Sequence, residues 1–254
     1  MTPDSPPPVR TFRLGMVPGV NPSRWVRVWE ERLRDTPLTL VPVAAADAVA
    51  ALHAGTIDAS LLRLPVDRDG LDVIPLYTEA TVVVVPKDHL FTAADEITAA
   101  DLADETLVVP ADDVLGWADA PGERFAGDVA TTSDAVDLVA AGHAVLVVPH
   151  SVGRLHQRRR LVTRPVTDAP GSQVGLAWVA DRYDDLTEEL IGIVRGRTAA
   201  SSRGRGAPTE PRTPAVKGGA ARTPKTGSGK AKQAPGRSGA RTPKPHQAPR
   251  GKRR

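Results

Sequence analysis

The 254-residue chain carries 33 Lys and Arg against 30 Asp and Glu, and its net charge of +3 hides two opposite parts. Residues 1–194 hold 16 basic and 29 acidic side chains, whereas residues 195–254 hold 17 and 1, so an acidic, patterned body precedes a basic, unpatterned tail. Cysteine is absent, which excludes disulfides, thiolate metal sites and cysteine nucleophiles, and no stretch approaches the roughly 18 apolar residues of a membrane span.

The Pro-rich segment 1–10 reads as a disordered N-terminus without the apolar core of a signal peptide, so the expected location is cytoplasmic, with no membrane partner. The body then repeats strand, turn and helix. Phe12 to Val17 is a strand ending at Pro18-Gly19. Asn21 is placed as N-cap and Pro22 as first helical residue of a helix whose Trp25, Val28, Trp29 and Leu33 share one face. Thr36-Pro37 ends it, and Leu38 to Val43 is a second strand. Asp47 is expected to cap a helix through Val49 and Leu52 to Gly55, followed by a strand from Ile57 to Leu62. Two βαβ steps imply a parallel sheet covered by helices.

Leu71 to Tyr77 and the β-branched run Thr81 to Val85, closed by Pro86, are the next strands. Asp95 to Glu105 is expected to hold one short helix, Leu107 to Val109 a strand, and Asp112 to Gly127 a loop with at most one helical turn. Thr131-Thr132-Ser133-Asp134 is a dense N-cap signal for a helix carrying Val136 and Val139, with a strand from Val145 to Val148 after it. Ser151 to Gln157 reads as helix, Leu161 to Val166 and Gln173 to Val179 as strands, and Leu186 to Val194 as a closing helix.

From residue 196 onward the chain is almost entirely Pro, Gly, Ser, Thr, Ala, Lys and Arg, with Val216 its only branched aliphatic residue and no aromatic. Ordering such a segment costs about 1–2 kcal/mol of backbone entropy per residue with nothing to bury in return, so 196–254 is expected to be disordered. Arg-Thr-Pro recurs at Arg212, Arg222 and Arg241 at irregular spacing, which is low complexity rather than a solenoid. Three roles are open to this polycation: an inert appendage, non-specific and salt-sensitive contact with DNA or RNA, or folding back on the acidic body.

Enzyme signatures are weak, and no catalytic residue, metal ligand or cofactor is assigned. The body histidines, His53, His89, His143, His150 and His156, lack metal-ligand spacing, and no Gly-x-Ser-x-Gly elbow occurs. Gly227-Ser-Gly-Lys230 lacks the first Gly and the hydroxyl of a phosphate loop. The pairs Asp112-Asp113 and Asp184-Asp185 read as loop or cap residues.

The segments Phe12-Arg-Leu-Gly15, Leu52-His-Ala-Gly-Thr-Ile-Asp-Ala59, Asp88-His89-Leu90, Ala100-Asp-Leu-Ala-Asp-Glu105, Val139-Ala-Ala-Gly-His-Ala-Val-Leu-Val-Val-Pro149 and Leu176-Ala-Trp178 occur in an order that resembles the effector-binding domain of LysR-type transcriptional regulators, itself similar to type II periplasmic binding proteins. The resemblance covers about Thr11 to Arg195. It implies an α/β fold of two Rossmann-like lobes around a central cleft, joined by two crossover strands, with lobe I at 11–80 and 168–195 and lobe II at 81–167. The family's N-terminal helix-turn-helix is expected to be missing, His89-Leu90 stands where His-Pro-Leu is usual, and Ala44-Ala45-Ala46 removes polar groups from one cleft wall. Side-by-side pairing of two effector domains, as a homodimer or with a full-length regulator, is implied by the resemblance.

In open α/β sheets ligands sit beyond the carboxyl ends of the strands, where first helical turns offer unpaired N–H groups. Two helix starts fit, and the resemblance implies that they face each other: Pro18, Gly19, Asn21 and Ser23 in lobe I, and Thr131, Thr132 and Ser133 in lobe II. They are the candidate contacts of a small anionic effector, although the same residue types also serve as plain caps. Arg24 and Arg63 could add charge near the expected cleft, but an arginine beside a helix or strand end is more often solvated, so neither is among the candidate contacts. The functional expectation is a non-catalytic sensor or regulator that binds a metabolite, with a nucleic-acid-associated protein acting through its cationic tail as the alternative.

Overall fold

The computed structural model describes residues 10–197. The chain divides into two units, Met1–Ala207 and Pro208–Arg254, and the described residues all belong to the first. The expectations for residues 1–9 and for the tail beyond Arg197 lie outside the described residues.

The first lobe is built from β1 (Phe12–Met16), α1 (Ser23–Arg32), β2 (Leu38–Pro42), α2 (Ala48–His53), β3 (Ala59–Leu64) and β4 (Leu71–Glu79). The second contains β5 (Thr81–Pro86), β6 (Thr106–Val108), the two-residue β7 (Glu123–Arg124), α3 (Thr132–Ala140), β8 (Val145–Pro149), α4 (His150–Leu155) and β9 (Leu161–Pro165). The chain then returns to the first lobe with β10 (Ser172–Val179) and α5 (Asp185–Val194). Two five-stranded sheets result, β2-β1-β3-β10-β4 and β7-β6-β8-β5-β9.

Both βαβ steps form, with β1 parallel to β2 and to β3. The sheet is nevertheless mixed, because β10 inserts antiparallel between β3 and β4. The register of β10 against β4 shifts between Val174 and Gly175, opposite Tyr77 and Pro75. Pro75 has no N–H to give to a ladder, so a bulge is where a strand tolerates it. Only Ala80 separates β4 from β5, and residues 166–171 carry the chain back between β9 and β10. These two crossings join the lobes.

Strand β5 explains why the second lobe reads as a continuous apolar run. Val82 and Val84 enter one buried cluster with Val136, Val139 and Leu146, while Val83 and Val85 enter another with Phe91, Leu102 and Leu107. Both faces of this strand are covered, so alternation disappears from the sequence. The first lobe has its own core around Phe12, Trp29, Leu61 and Leu176. Trp29 is fully buried, its ring lies 4.9 Å from that of Phe12, and its indole N–H donates to the Thr36 carbonyl at 2.8 Å. A buried indole usually finds such a partner, although that of Trp178 has none among the described residues.

Helix starts differ from expectation by small, explicable amounts. Pro22 rather than Asn21 occupies the N-cap of α1, and the Asn21 Oδ1 accepts from the Ser23 N–H at 3.0 Å and the Ser23 hydroxyl at 2.6 Å. Asn21 thus serves a first-turn donor from one residue further out. Asp47 occupies the N-cap position of α2 as expected, but its side chain makes no capping hydrogen bond, since it lies in a 3-10 turn (Ala45–Asp47) that leads straight into the helix. Asp95 to Glu105 holds a single 3-10 turn, Ala99–Leu102, with a capping box between Thr98 and Asp101. Hydrogen bonds from the Thr98 N–H and hydroxyl hold the Asp101 carboxyl below its ordinary value. Within the expected loop, Glu123 and Arg124 pair in parallel with Thr106 and Leu107.

Asp184 caps α5 by accepting from the Thr187 N–H at 2.9 Å, and it also pairs with Arg10. Burial is the largest single influence on this carboxyl and pushes its pKa up, but the bonds from Thr187 and Arg10 together outweigh it and hold the pKa below normal. A folded pKa below the unfolded value contributes stability at pH above about 4, and that contribution is lost as pH falls through the folded value. Asp184→Ala is expected to cost about 1 kcal/mol at neutral pH in urea unfolding, and the deficit should shrink on acidification below about pH 4.

Candidate functional site

The β1–α1 turn, the segment after β2 and one face of α4 enclose a cavity of about 670 Å³ lined by Val17, Pro18, Gly19, Asn21, Val43, Ala44, Ser151, Arg154 and Leu155, among others. Its volume falls in the roughly 300–1,000 Å³ range of small-molecule sites. Topology places it there: β1 and β2 are parallel neighbours, and their carboxyl ends open toward the second lobe. The walls are mainly apolar, and Asn21, Ser151 and Arg154 supply the polar side chains. Leu155 is 59% exposed and adds apolar surface to the wall of the cavity. Arg154 is exposed and makes no ion pair among the described residues.

Beneath this cavity lies a buried charged network that ties the lobes together. Arg63 of β3 and Glu79 at the end of β4 form an ion pair at 3.4 Å with side chains 5% and 10% exposed. The Arg63 guanidinium also donates to Ser172 of β10 at 2.8 Å, to the Pro18 carbonyl at 3.2 Å and to Ser151 of α4 at 3.1 Å. Ser151 in turn donates its hydroxyl to Glu79 at 2.6 Å. Ser151 is the second lobe's member of a network otherwise built from the first. The Arg63 Nε has no partner among the described residues, so the guanidinium is not fully satisfied. Burial first and the Glu79 carboxylate second raise the pKa of the nearby Tyr77 hydroxyl, with Arg63 acting in the opposite direction.

The structure therefore overturns the solvated reading of Arg63, which is 7% exposed; Arg24 is exposed. Pro18, Gly19 and Asn21 line the cavity, while Ser23, committed to Asn21, is not among the lining residues. Thr131, Thr132 and Ser133 do not line it either. Thr131 caps α3, accepting from the Asp134 N–H at 3.1 Å, and the Thr132 hydroxyl donates to Asp112 at 2.8 Å. The wall opposite Pro18-Gly19 is α4, which supplies Ser151, Arg154 and Leu155. These three escape a reading of the sequence because a six-residue helix carries little periodicity; the available signal is an apolar Leu155 beside Arg154 in a short polar segment. Gly19 sits at φ +86°, where a Cβ would stand 2.5 Å from the Ser151 Oγ and 3.1 Å from the Val152 N, so the lobes meet at a position only glycine fits. Among the described residues no group of three or more His, Asp or Glu is placed to hold a metal ion, and none of the helices is long and apolar enough to cross a membrane.

The chain is similar to bacterial transcription activators. A "Probable hydrogen peroxide-inducible genes activator" of Mycobacterium avium is 29% identical over 198 residues, 72% of this chain and 64% of that protein. The "Hca operon transcriptional activator HcaR" of Escherichia coli (strain K12) is 28% identical over 206 residues, 75% of this chain and 69% of that protein. The chain thus spans about two thirds of the length of these relatives. Among solved structures, the reduced OxyR regulatory domain from Pseudomonas aeruginosa matches with a TM-score of 0.58 at 22% identity, covering 73% of this chain and 95% of that one. The BenM effector-binding domain with its effector benzoate matches with a TM-score of 0.63 at 22% identity, covering 80% and 96%. The family model for the LysR substrate binding domain matches residues 6–199, and the chain belongs to that family.

Proposed function

We propose that this domain senses a small organic anion in the interlobe cavity, without transforming it, and that closure of the lobes on the ligand serves transcriptional regulation. The observation that carries this reading is the cavity itself: apolar walls from both lobes and one exposed guanidinium, Arg154, without an ion-pair partner among the described residues. An apolar body with one carboxylate suits such a site, because the ring or chain is removed from water while the charge meets a cation at the rim. The benzoate named for the BenM domain belongs to this chemical class. Pro18, Gly19 and Asn21 contact the ligand from the first lobe, and Ser151, Arg154 and Leu155 take the part assigned from sequence to Thr131, Thr132 and Ser133.

A ligand that touches both lobes favours the closed arrangement by its differential affinity for it. These 254 residues hold no cysteine thiol for peroxide, the signal in the name of the mycobacterial relative, to oxidise.

The test is thermal unfolding of the full chain with a panel of small aromatic and branched carboxylates. A ligand at about 100 times its Kd adds roughly 2.7 kcal/mol of stability, readily visible in Tm. The expected result is a rise in Tm for at least one carboxylate that Arg154→Glu abolishes. An unchanged Tm across the panel, or a shift that survives Arg154→Glu, overturns the reading.

A further inference from the structure

Within the second lobe alone lies a different cavity, of about 260 Å³, that shares no lining residue with the interlobe one. Leu107, Val109, Val147, Leu115, Trp117 and Ala120 supply apolar walls, and Arg124 and Asp113 are the charged residues beside them. Its floor is sheet: Leu107 and Val147 belong to β6 and β8, and Trp117, Ala120 and Val147 pack against the buried cluster around Val83, Val85 and Leu107. Its roof is the 113–120 loop, held by Asp113, whose carboxylate accepts from the Leu115 N–H at 3.0 Å and the Gly116 N–H at 2.8 Å. Val109 is 40% exposed although it follows a buried strand, so apolar surface is left facing this space.

The two charged groups differ in what they have left to offer. Asp113 is occupied by the loop it anchors. Arg124 is exposed, its one hydrogen bond among the described residues is a long 3.4 Å contact with the Ala118 carbonyl, and it makes no ion pair among them. A guanidinium presents a planar fork that matches a carboxylate, and it costs little to turn away from a long backbone contact. The volume lies just below the range of drug-sized sites, which limits the occupant to a compact molecule.

We infer that this cavity is a second binding site, taking a compact monocarboxylate whose single ring or branched chain lies against Trp117, Val109 and Leu115 while its carboxylate pairs with Arg124. The site is independent of the interlobe reading and stands if that reading fails. Trp117 is the only tryptophan between residues 81 and 167, so the ligand's approach is reported by its indole.

The experiment titrates phenylacetate, with phenylacetamide as its uncharged counterpart, into the full chain while tryptophan emission is followed. Phenylacetate is expected to give a saturable change that is absent in Trp117→Phe, unaffected by Arg154→Glu, and at least tenfold weaker both in Arg124→Met and for the amide. The tenfold figure is what loss of one charge-assisted hydrogen bond brings about. Arg124 is exposed, so Arg124→Met keeps the fold, which circular dichroism verifies. The inference is overturned by the absence of a saturable change, by a change that persists in Trp117→Phe, by unaltered affinity in Arg124→Met, or by equal affinity for the amide. Loss of the signal in Arg154→Glu also overturns it, by assigning the binding to the interlobe cavity.

Discussion

Glu79→Gln is expected to destabilise the domain by about 3–5 kcal/mol although it keeps the shape of the side chain. The side chain keeps its size, but the Arg63 guanidinium, 7% exposed, loses its only carboxylate partner among the described residues and stays buried as an uncompensated charge. Removing one member of a buried pair costs far more than the pair contributes, because desolvation of the survivor is no longer offset. Two hydroxyls and the Pro18 carbonyl cannot replace the lost charge, and the Arg63 Nε already lacks a partner. Urea unfolding measures the loss, which corresponds to a drop in Tm of roughly 6–20 °C. Replacing both ions by apolar residues, Arg63→Met with Glu79→Leu, should be milder than Glu79→Gln alone, since no charge is then left in the interior. A double variant at least as unstable as the single one would show that the pair is not held as a desolvated unit.

Gly19→Ala is expected to cost about 3 kcal/mol and to weaken binding in the interlobe cavity. Two separate penalties combine. A residue with a Cβ at φ +86° sits in the left-handed region at about 1–2 kcal/mol. The new methyl would also stand 2.5 Å from the Ser151 Oγ and 3.1 Å from the Val152 backbone N, and overpacking of this kind costs about 1–3 kcal/mol. The side-chain clash can be relieved and the backbone strain cannot. Ser151→Ala alone also costs stability, because it removes the hydroxyl bonded to Glu79 and Arg63, so the clash is read from the double cycle: Gly19→Ala should cost less in the Ser151→Ala background than in the parent, but not nothing. No penalty in that background would mean that the strain is negligible, and no loss in Gly19→Ala itself would mean that the two lobes do not meet there.

Local chemistry and the parallel βαβ pairing of β1 with β2 and β3 are legible in the sequence, whereas the antiparallel place of β10 and the side-chain pairing of the site are not. The run Thr81 to Val85 announces a strand because β-branched residues bounded by Pro have few other uses, and Thr131 announces a cap because its hydroxyl needs only a residue three positions away. The α1 start is displaced by one residue, since Asn21 and Pro22 can each occupy the cap and only the backbone decides. Strand β7 is two residues long and gains its identity from β6, so nothing within Glu123-Arg124 marks it. The site suffers most from this limit. Arg63 finds Glu79, Ser151 and Ser172 at separations of 16, 88 and 109 residues. A signal does exist: an arginine inside Leu61-Leu62-Arg63-Leu64, where a solvated side chain has no place, points to a buried partner.

The position of β10 between β3 and β4 also orders events at the ribosome. All of β1 to β4 has been made before β10 emerges, yet β3 and β4 do not pair with each other. If β3 and β4 take their final places early, their facing edges have no partner until residues 172–179 arrive, and open edges are templates for unwanted pairing between nascent chains. The second lobe is one uninterrupted segment, so it can complete its sheet first even though it is the insertion, and the N-terminal half of the first lobe waits for a strand that arrives last.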